Sequence, residues 1–525
     1  MNPLNRLRAT LEALFRSLFP ARKRKERRPA TASPPASPAS PASTARASAD
    51  ASRPPRDLPV VLTPSAAERV QGRLRSALQA AQSARLDLRE RADERELALR
   101  AERLGMEAAA ELAAPVAIAD AGETAAERAD SAESAAASAA FPASASTAAL
   151  TAASAASAAF PAALTAASAA EASAPKIGKP ASAADADGAI LSWIRQETAR
   201  MNRNNVTRTY AYHRIYTRHP ELHWALLAHM VSRNTGWNMT DLKGDLVPRL
   251  LEWRRSEALY QMLERANALI FQDAYPQLLL YQEGKRRGRG LTFLLERLSV
   301  SSFMPPLWDD FAETGDPVPL AIGLIINEQN YIQGRVVENP FFLKEVLERP
   351  FFHMDSLLHV NQILLPYLAP DTGKIRLAGL TLEDFPDLHE RIRFGRKLYA
   401  LLFDVPAVRE GCRRFADQVP HTGSRADYWP EVFAQHKETP PSRERTEASA
   451  RAALHYSPTL AAAWPNRPVE PTVAADWFRD MSAFAHFSAL KPPSSWMMDR
   501  EHQLLLKAQE AAALAKSWIK PNTRP

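Results

Sequence analysis

Two histidines four residues apart, His219 and His223 in His219-Pro220-Glu221-Leu222-His223, could share one helical face and hold one metal ion, with Glu221 beside them. The order departs from HExxH, because the Glu stands elsewhere and Pro220 is expected to open the helix with His219 at its N-cap. His229 falls about 240° further round a helix than His223 and is no obvious third ligand. A capping histidine and a packing histidine account for the same residues. A carboxylate offers different chemistry. Asn327-Glu328-Gln329-Asn330 interrupts an apolar helix expected over residues 318–332. Four successive helical positions point in four directions, so a helix buried all round must turn at least one polar side chain inward. An inward Glu328 is either paired or held protonated by burial, and a protonated carboxyl is what a general acid needs. Arg233, Asn234, Asn238 and Asp241, in SRNTGWNMTD, are its expected partners, with Gly236 ending one helix and Thr240 or Asp241 capping the next. Glu328, His223 and Arg233 together would make a hydrolase site. A binding site would use Asn234, Asn238, Asp241, Asn327 and Asn330. A buried hydrogen-bond network that fixes helix packing explains the same pattern.

Basic residues suggest an anion instead. Lys285, Arg286, Arg287 and Arg289 lie in EGKRRGRG, whose three glycines predict a loop able to wrap an anion. The order is not that of a P-loop, so nucleotide hydrolysis has no support. Arg203, Arg208, Arg214 and Arg218 alternate with Tyr210, Tyr212 and Tyr216, a pattern that could stack bases. Charge argues against a nucleic-acid role. Residues 1–28 hold nine Lys/Arg against two Asp/Glu, which is the whole of the net charge of +7. No excess remains elsewhere to track a phosphate backbone, so nucleic acid ranks last among the expected partners.

The elements that must position these residues follow from a break in composition near residue 185. Before it, the chain is too poor in large apolar side chains to offset its ordering entropy. After it, Trp, Tyr, His and Leu recur at helical spacing, period-2 runs are scarce, and residues 374–382 (KIRLAGLTL) are the one modest strand candidate. The expected fold is all-α: a helical core at 186–418, then an irregular, Pro-rich region with C-terminal helices at 419–525. A low-complexity Ala/Ser/Pro-rich tether fills 29–185, with a helical segment near 66–113 whose stripe of Val70, Leu74, Leu78 and Ala81 predicts a weak coiled coil or an exposed single helix. Residues 1–28 read as an amphipathic basic helix. Leu4, Leu7, Leu11, Leu14, Phe15, Leu18 and Phe19 share a face, and six Lys/Arg follow Pro20, the two-signal pattern of reversible attachment to an anionic membrane surface. A single cysteine, Cys412, rules out an intramolecular disulfide framework.

Residues 205–245 and 324–337 resemble the signature blocks of the uncharacterised bacterial YppC-like family, domain of unknown function 2515. The likeness spans roughly residues 190–402. It implies a bacterial, cytoplasmic helical protein and adds no catalytic residue and no cofactor. The expectation is therefore a binding or scaffold protein, peripheral to the cytoplasmic face of the membrane, that takes a protein or a small anionic ligand. A Glu328/His223/Arg233 hydrolase and a nucleic-acid or anion-binding protein are the alternatives.

Overall fold

The computed structural model describes residues 61–85, 87, 95, 183–349, 360–437, 454–469 and 475–519. The expected membrane-surface helix at 1–28 and most of the tether lie outside these residues. Two units separate by their contacts, Met1–Leu78 with Ala184–Pro525, and Gln79–Ala183. In the second unit the described residues are helical. Among the described residues no helix is long and apolar enough to cross a membrane.

The first unit is helical with two small sheets. Helix α1 spans 64–85. The others that matter here are α2 (Ala183–Met201), α3 (Asn205–Arg218), α4 (His223–Asp241), α5 (Trp253–Arg287), α6 (Pro305–Thr314) and α7 (Pro317–Ile332). Strands β1 (Gln362–Leu368) and β2 (Ile375–Thr381) follow, then α8 (Leu388–Asp404), α9 (Pro406–Gln418) and α10 (Asp499–Ile519).

Local signals explain several of these ends. Asn204 and Thr207 form a reciprocal capping box at the start of α3. Asp316 accepts the Val318 N–H, and Pro317 opens α7, where its missing donor costs nothing. Elsewhere the sequence expectation needs correction. His219 closes α3 by donating its backbone N–H to the Ile215 carbonyl, and α4 begins only at His223 with Leu222 as its N-cap. The two histidines therefore do not share a helix. Gly236 does not end one either, because α4 continues unbroken to Asp241. A glycine is needed at this point of close approach: a Cβ would lie 2.3 Å from Asn205 Oδ1 and 2.6 Å from His421 Nε2. Nor is EGKRRGRG a loop throughout. Helix α5 runs through Gly284 to Arg287 and stops at Gly288, whose φ of 65° is the left-handed cap a glycine tolerates.

Strand β2 falls where the sequence placed it, but it pairs antiparallel with β1, which Pro366 had disguised. In this two-stranded sheet β1 has a ladder on one side, so proline is accommodated there. The tail adds to the other edge of β2, with Gly379 N–H donating to the Trp496 carbonyl and Met498 N–H to that of Leu377. It also returns to α4: Trp464 Nε1 donates to the Met239 carbonyl at 2.8 Å, and Trp237 Nε1 to Asp427 at 3.2 Å.

Up to Leu78, helix α1 is neither a coiled coil nor exposed. Leu62, Ala66, Val70, Leu74 and Leu78, spaced by four, are buried in the main hydrophobic cluster. Arg69 bonds the buried Asp310 of α6 at 3.1 Å, and Arg73 pairs with Glu313. The apolar stripe should dominate this docking, since a buried Leu→Ala change costs about 2–5 kcal/mol and an exposed ion pair less than about 1. Leu74→Ala is expected to open α1 to tryptic cleavage after Arg75 under conditions where the core stays intact. Arg73→Ala should leave that cleavage slow, and limited proteolysis of the two variants checks the ranking.

Candidate functional site

A cavity of about 190 Å³, mainly apolar, lies between α4, α5, α7, α8 and the start of β1. Helix α4 contributes Trp224, Ala228, Val231, Thr235 and Asn238, at the three- and four-residue spacing of one helical face. Helix α7 contributes Glu328, Gln329 and Ile332.

Glu328 is the acidic group in this wall. Its Oε2 accepts the Trp224 indole N–H at 3.2 Å, and its Oε1 accepts from Gln329 Nε2 at 3.1 Å. Arg391 of α8 fixes the orientation of that amide by donating from Nε to Gln329 Oε1 at 2.9 Å. The rest of the Arg391 guanidinium reaches Gln333 Oε1 and the Phe385 and Pro386 carbonyls. Burial pushes the Glu328 carboxyl up to about 8; the Gln329 and Trp224 bonds oppose the shift, and nearby Asp273 adds to it. Arg391 is lowered by burial to about 10 and stays charged at neutral pH.

The neighbouring polar residues of α7 have separate tasks. Asn327 is fully enclosed, donating to Asp273 Oδ2 at 2.5 Å and accepting the Trp477 indole N–H at 2.8 Å. Asp273 is pushed up by burial to about 7 against the pull of the Asn327 amide, the Arg335 charge and the Gln277 amide. Asn330 bonds back to the Ile326 carbonyl of its own helix at 2.9 Å. One of the four, Asn327, faces fully inward, as a helix buried nearly all round requires, while Glu328 and Gln329 face the cavity.

The structure does not bring Glu328, His223 and Arg233 together. On α4, Arg233 lies about 180° and His223 about 100° round from Trp224, so neither belongs to the cavity face. His223 Nδ1 meets the Tyr399 hydroxyl at 2.9 Å, its ring stacks on Phe403 at 4.1 Å, and burial lowers its pKa to about 3. Arg233 donates to the Pro420 carbonyl at 3.2 Å and sits 4.5 Å from the centre of the Phe415 ring. Asn234 clamps β1, donating to the Gln362 carbonyl and accepting the Leu364 N–H. Asp241 and Asn238 hold Arg425 of the tail. Of the expected partners, Asn238 alone also lines the cavity.

His219 Nδ1 lies 3.5 Å from Glu221, which is itself bonded by Lys285 at 2.6 Å and held well below the usual carboxylate range by these partners. Among the described residues no three His, Cys, Asp or Glu side chains converge as a metal shell. The basic cluster forms no anion cradle, because each member already has a carboxylate: Lys285 has Glu221, Arg286 and Arg287 have Glu283, and Arg289 has Asp187.

The sequence reading missed Trp224 and Arg391, and named Gln329 only as a member of the polar run. A signal for Arg391 exists: it falls on the stripe Leu388, Arg391, Gly395, Leu398, where a charged residue has to be matched.

No solved structure matches the chain. A protein of Bacillus subtilis (strain 168), described as "Uncharacterized protein YppC", is 43% identical over 238 residues, covering 45% of this chain and 72% of the relative. The family described as "Protein of unknown function (DUF2515)" matches residues 200–509, which extends the expected likeness past residue 402 into the tail and leaves α1 outside. With the cavity helices, Arg391 and most of the returning tail inside that match, the chain belongs to the DUF2515 family.

Proposed function

We propose that this is a non-enzymatic binding protein whose core takes an apolar small molecule bearing one carbonyl group into the Glu328 cavity, and that residues 1–28 bring it to an anionic membrane surface on the cytoplasmic side. The orientation of Glu328's partners carries the first part. Trp224 Nε1 and Gln329 Nε2 both donate, and Arg391 keeps the Gln329 amide from turning over. Neither recorded partner accepts a proton, so the neutral carboxyl offers its O–H to whatever enters the cavity. An apolar wall with one oriented polar group is the arrangement of a small-ligand site.

The hydrolase alternative is less well supported. Among the described residues no histidine lines the cavity, and the hydroxyl of Ser232 at its wall is engaged by Thr209 at 2.7 Å and Asn205 at 3.1 Å. The second part of the proposal rests on the amphipathic pattern and basic cluster of residues 1–28.

Because the folded carboxyl holds its proton to about pH 8 while an unfolded one releases it near 4.5, Glu328 favours the unfolded chain increasingly as pH rises between those values. The wild type should lose about 1.4 kcal/mol per pH unit relative to Glu328→Gln across that window, with no further divergence above it. Denaturant unfolding of both proteins from pH 5 to 9 checks this. A parallel difference at all pH values would place an ionised Glu328 in the fold. Benzamide serves as a probe for the cavity. It should raise the Tm of the wild type at pH 7, do so less at pH 9 and fail to do so in Ala266→Leu, which fills the wall; an equal rise in the filled variant would remove the cavity reading. For the surface attachment, full-length protein should float with anionic vesicles at low salt and a version lacking residues 1–28 should not. Flotation of both, or of neither, would reassign that segment.

A further inference from the structure

A larger cleft, of about 680 Å³, opens elsewhere on the same unit. Five guanidinium groups line it: Arg195 from α2, Arg203 from the turn before α3, Arg297 from the segment before α6, Arg335 beyond α7, and Arg467 from the tail. We infer that this cleft binds a small polyanion carrying at least two phosphate groups, a site independent of the Glu328 cavity.

Charge is the first support. The described residues that line the cleft include one carboxylate, Asp273, which is turned to the Asn327 and Gln277 amides. Residues 29–525 hold as many Asp/Glu as Lys/Arg, so five arginines in one concavity are a local concentration and not a sample of a strongly basic surface.

Preorganisation is the second. Arg335 lies 4.0 Å from the centre of the Tyr331 ring and donates to the Tyr331 and Ala475 carbonyls. Arg467 is tethered by Glu257. Arg195 donates to the main-chain carbonyl of Arg297 at 2.7 Å, which ties α2 to the opposite segment. That segment turns at Ser299, the residue other than glycine with a positive φ (60°) among those described, and Ser299 also lines the cleft. The Arg203 and Arg297 side chains are exposed and have no ion pair or hydrogen bond among the described residues, so two planar donor forks remain for a ligand.

A buried hydroxyl is the third. Thr198 Oγ1 belongs to a residue of this lining and is buried with no hydrogen-bond partner among the described residues. Thr198 is only 6% exposed. Its hydroxyl can donate to a phosphate oxygen. The volume suits a small molecule, since such sites run from about 300 to 1,000 Å³. A single phosphate would leave most of the cleft unfilled. The concave shape favours a small ligand over a nucleic acid.

Pyrophosphate is the probe. Calorimetric titration of the full chain at physiological salt should detect binding that the double variant Arg203→Ala/Arg297→Ala weakens by roughly tenfold or more, the loss expected for charged hydrogen bonds. Arg286→Ala/Arg289→Ala removes the same charge away from the cleft and should leave the affinity nearly unchanged. No binding at millimolar pyrophosphate, equal loss in both double variants, or full affinity in the cleft variant would overturn the assignment; the last would place the anion on residues 1–28. A second arm separates the sources of the phosphates. If flotation on vesicles containing a bisphosphorylated inositol lipid is reduced in the cleft variant, the phosphates belong to a lipid headgroup; if flotation is unchanged while pyrophosphate binding is lost, they belong to a soluble molecule.

Discussion

Helix α4 is buried around most of its circumference while carrying His229, Ser232, Arg233, Asn234, Asn238 and Thr240, and the rest of the structure depends on how that polarity is satisfied. A buried donor or acceptor left unmatched costs more than most packing contacts return. Several of the partners come from far along the chain. Asn234 takes both its bonds from β1, Arg233 reaches the Pro420 carbonyl, Thr240 the Gly423 carbonyl, and Asp241 with Asn238 engages Arg425. The tail is thereby fixed on the core by the polar residues of one helix, and the face of α4 that carries Trp224, Ala228 and Val231 becomes the cavity wall.

Much of this was legible where local rules act alone. The break near residue 185, the predominance of helix, the apolar helix expected over 318–332 and the strand at Ile375–Thr381 all follow from short-range composition and spacing. The inward Asn327 and the raised Glu328 follow from helical geometry applied to one apolar segment. What was not legible depends on contacts between distant residues. Gly236 looks like a stop signal and is a point of close approach to Asn205 and His421. The pair His219 and His223 looks like a shared face and straddles a helix boundary. Residues 284–287 look like a loop because glycine and charge crowd there, yet Glu221, Glu283 and Asp187 neutralise the neighbourhood. Arg391 and Gln329, which orient the carboxyl, are separated by 62 positions, and nothing local links them.

Helix α7 joins the two concavities. Asn327 and Glu328 are adjacent in sequence and about 100° apart round the helix, so one side chain reaches Asp273 at the wall of the arginine cleft while the other lines the apolar cavity. The same short polar run therefore supplies a structural amide to one site and an acid to the other. Its cost in buried polarity is met by indole and amide donors, Trp477 and Gln277 around Asn327 and Asp273, Trp224 and Gln329 around Glu328.

The docking of α1 sets a length scale. With Leu62 to Leu78 seated in the core, about 33 residues separate that seat from the segment at 1–28, and a chain of that length spans at most about 115 Å however it is arranged. Released from its seat, the chain back to α2 would offer about 155 residues and a limit near 540 Å. One apolar stripe thus decides whether residues 1–28 stay within roughly two domain diameters of the core or can lie several times farther away.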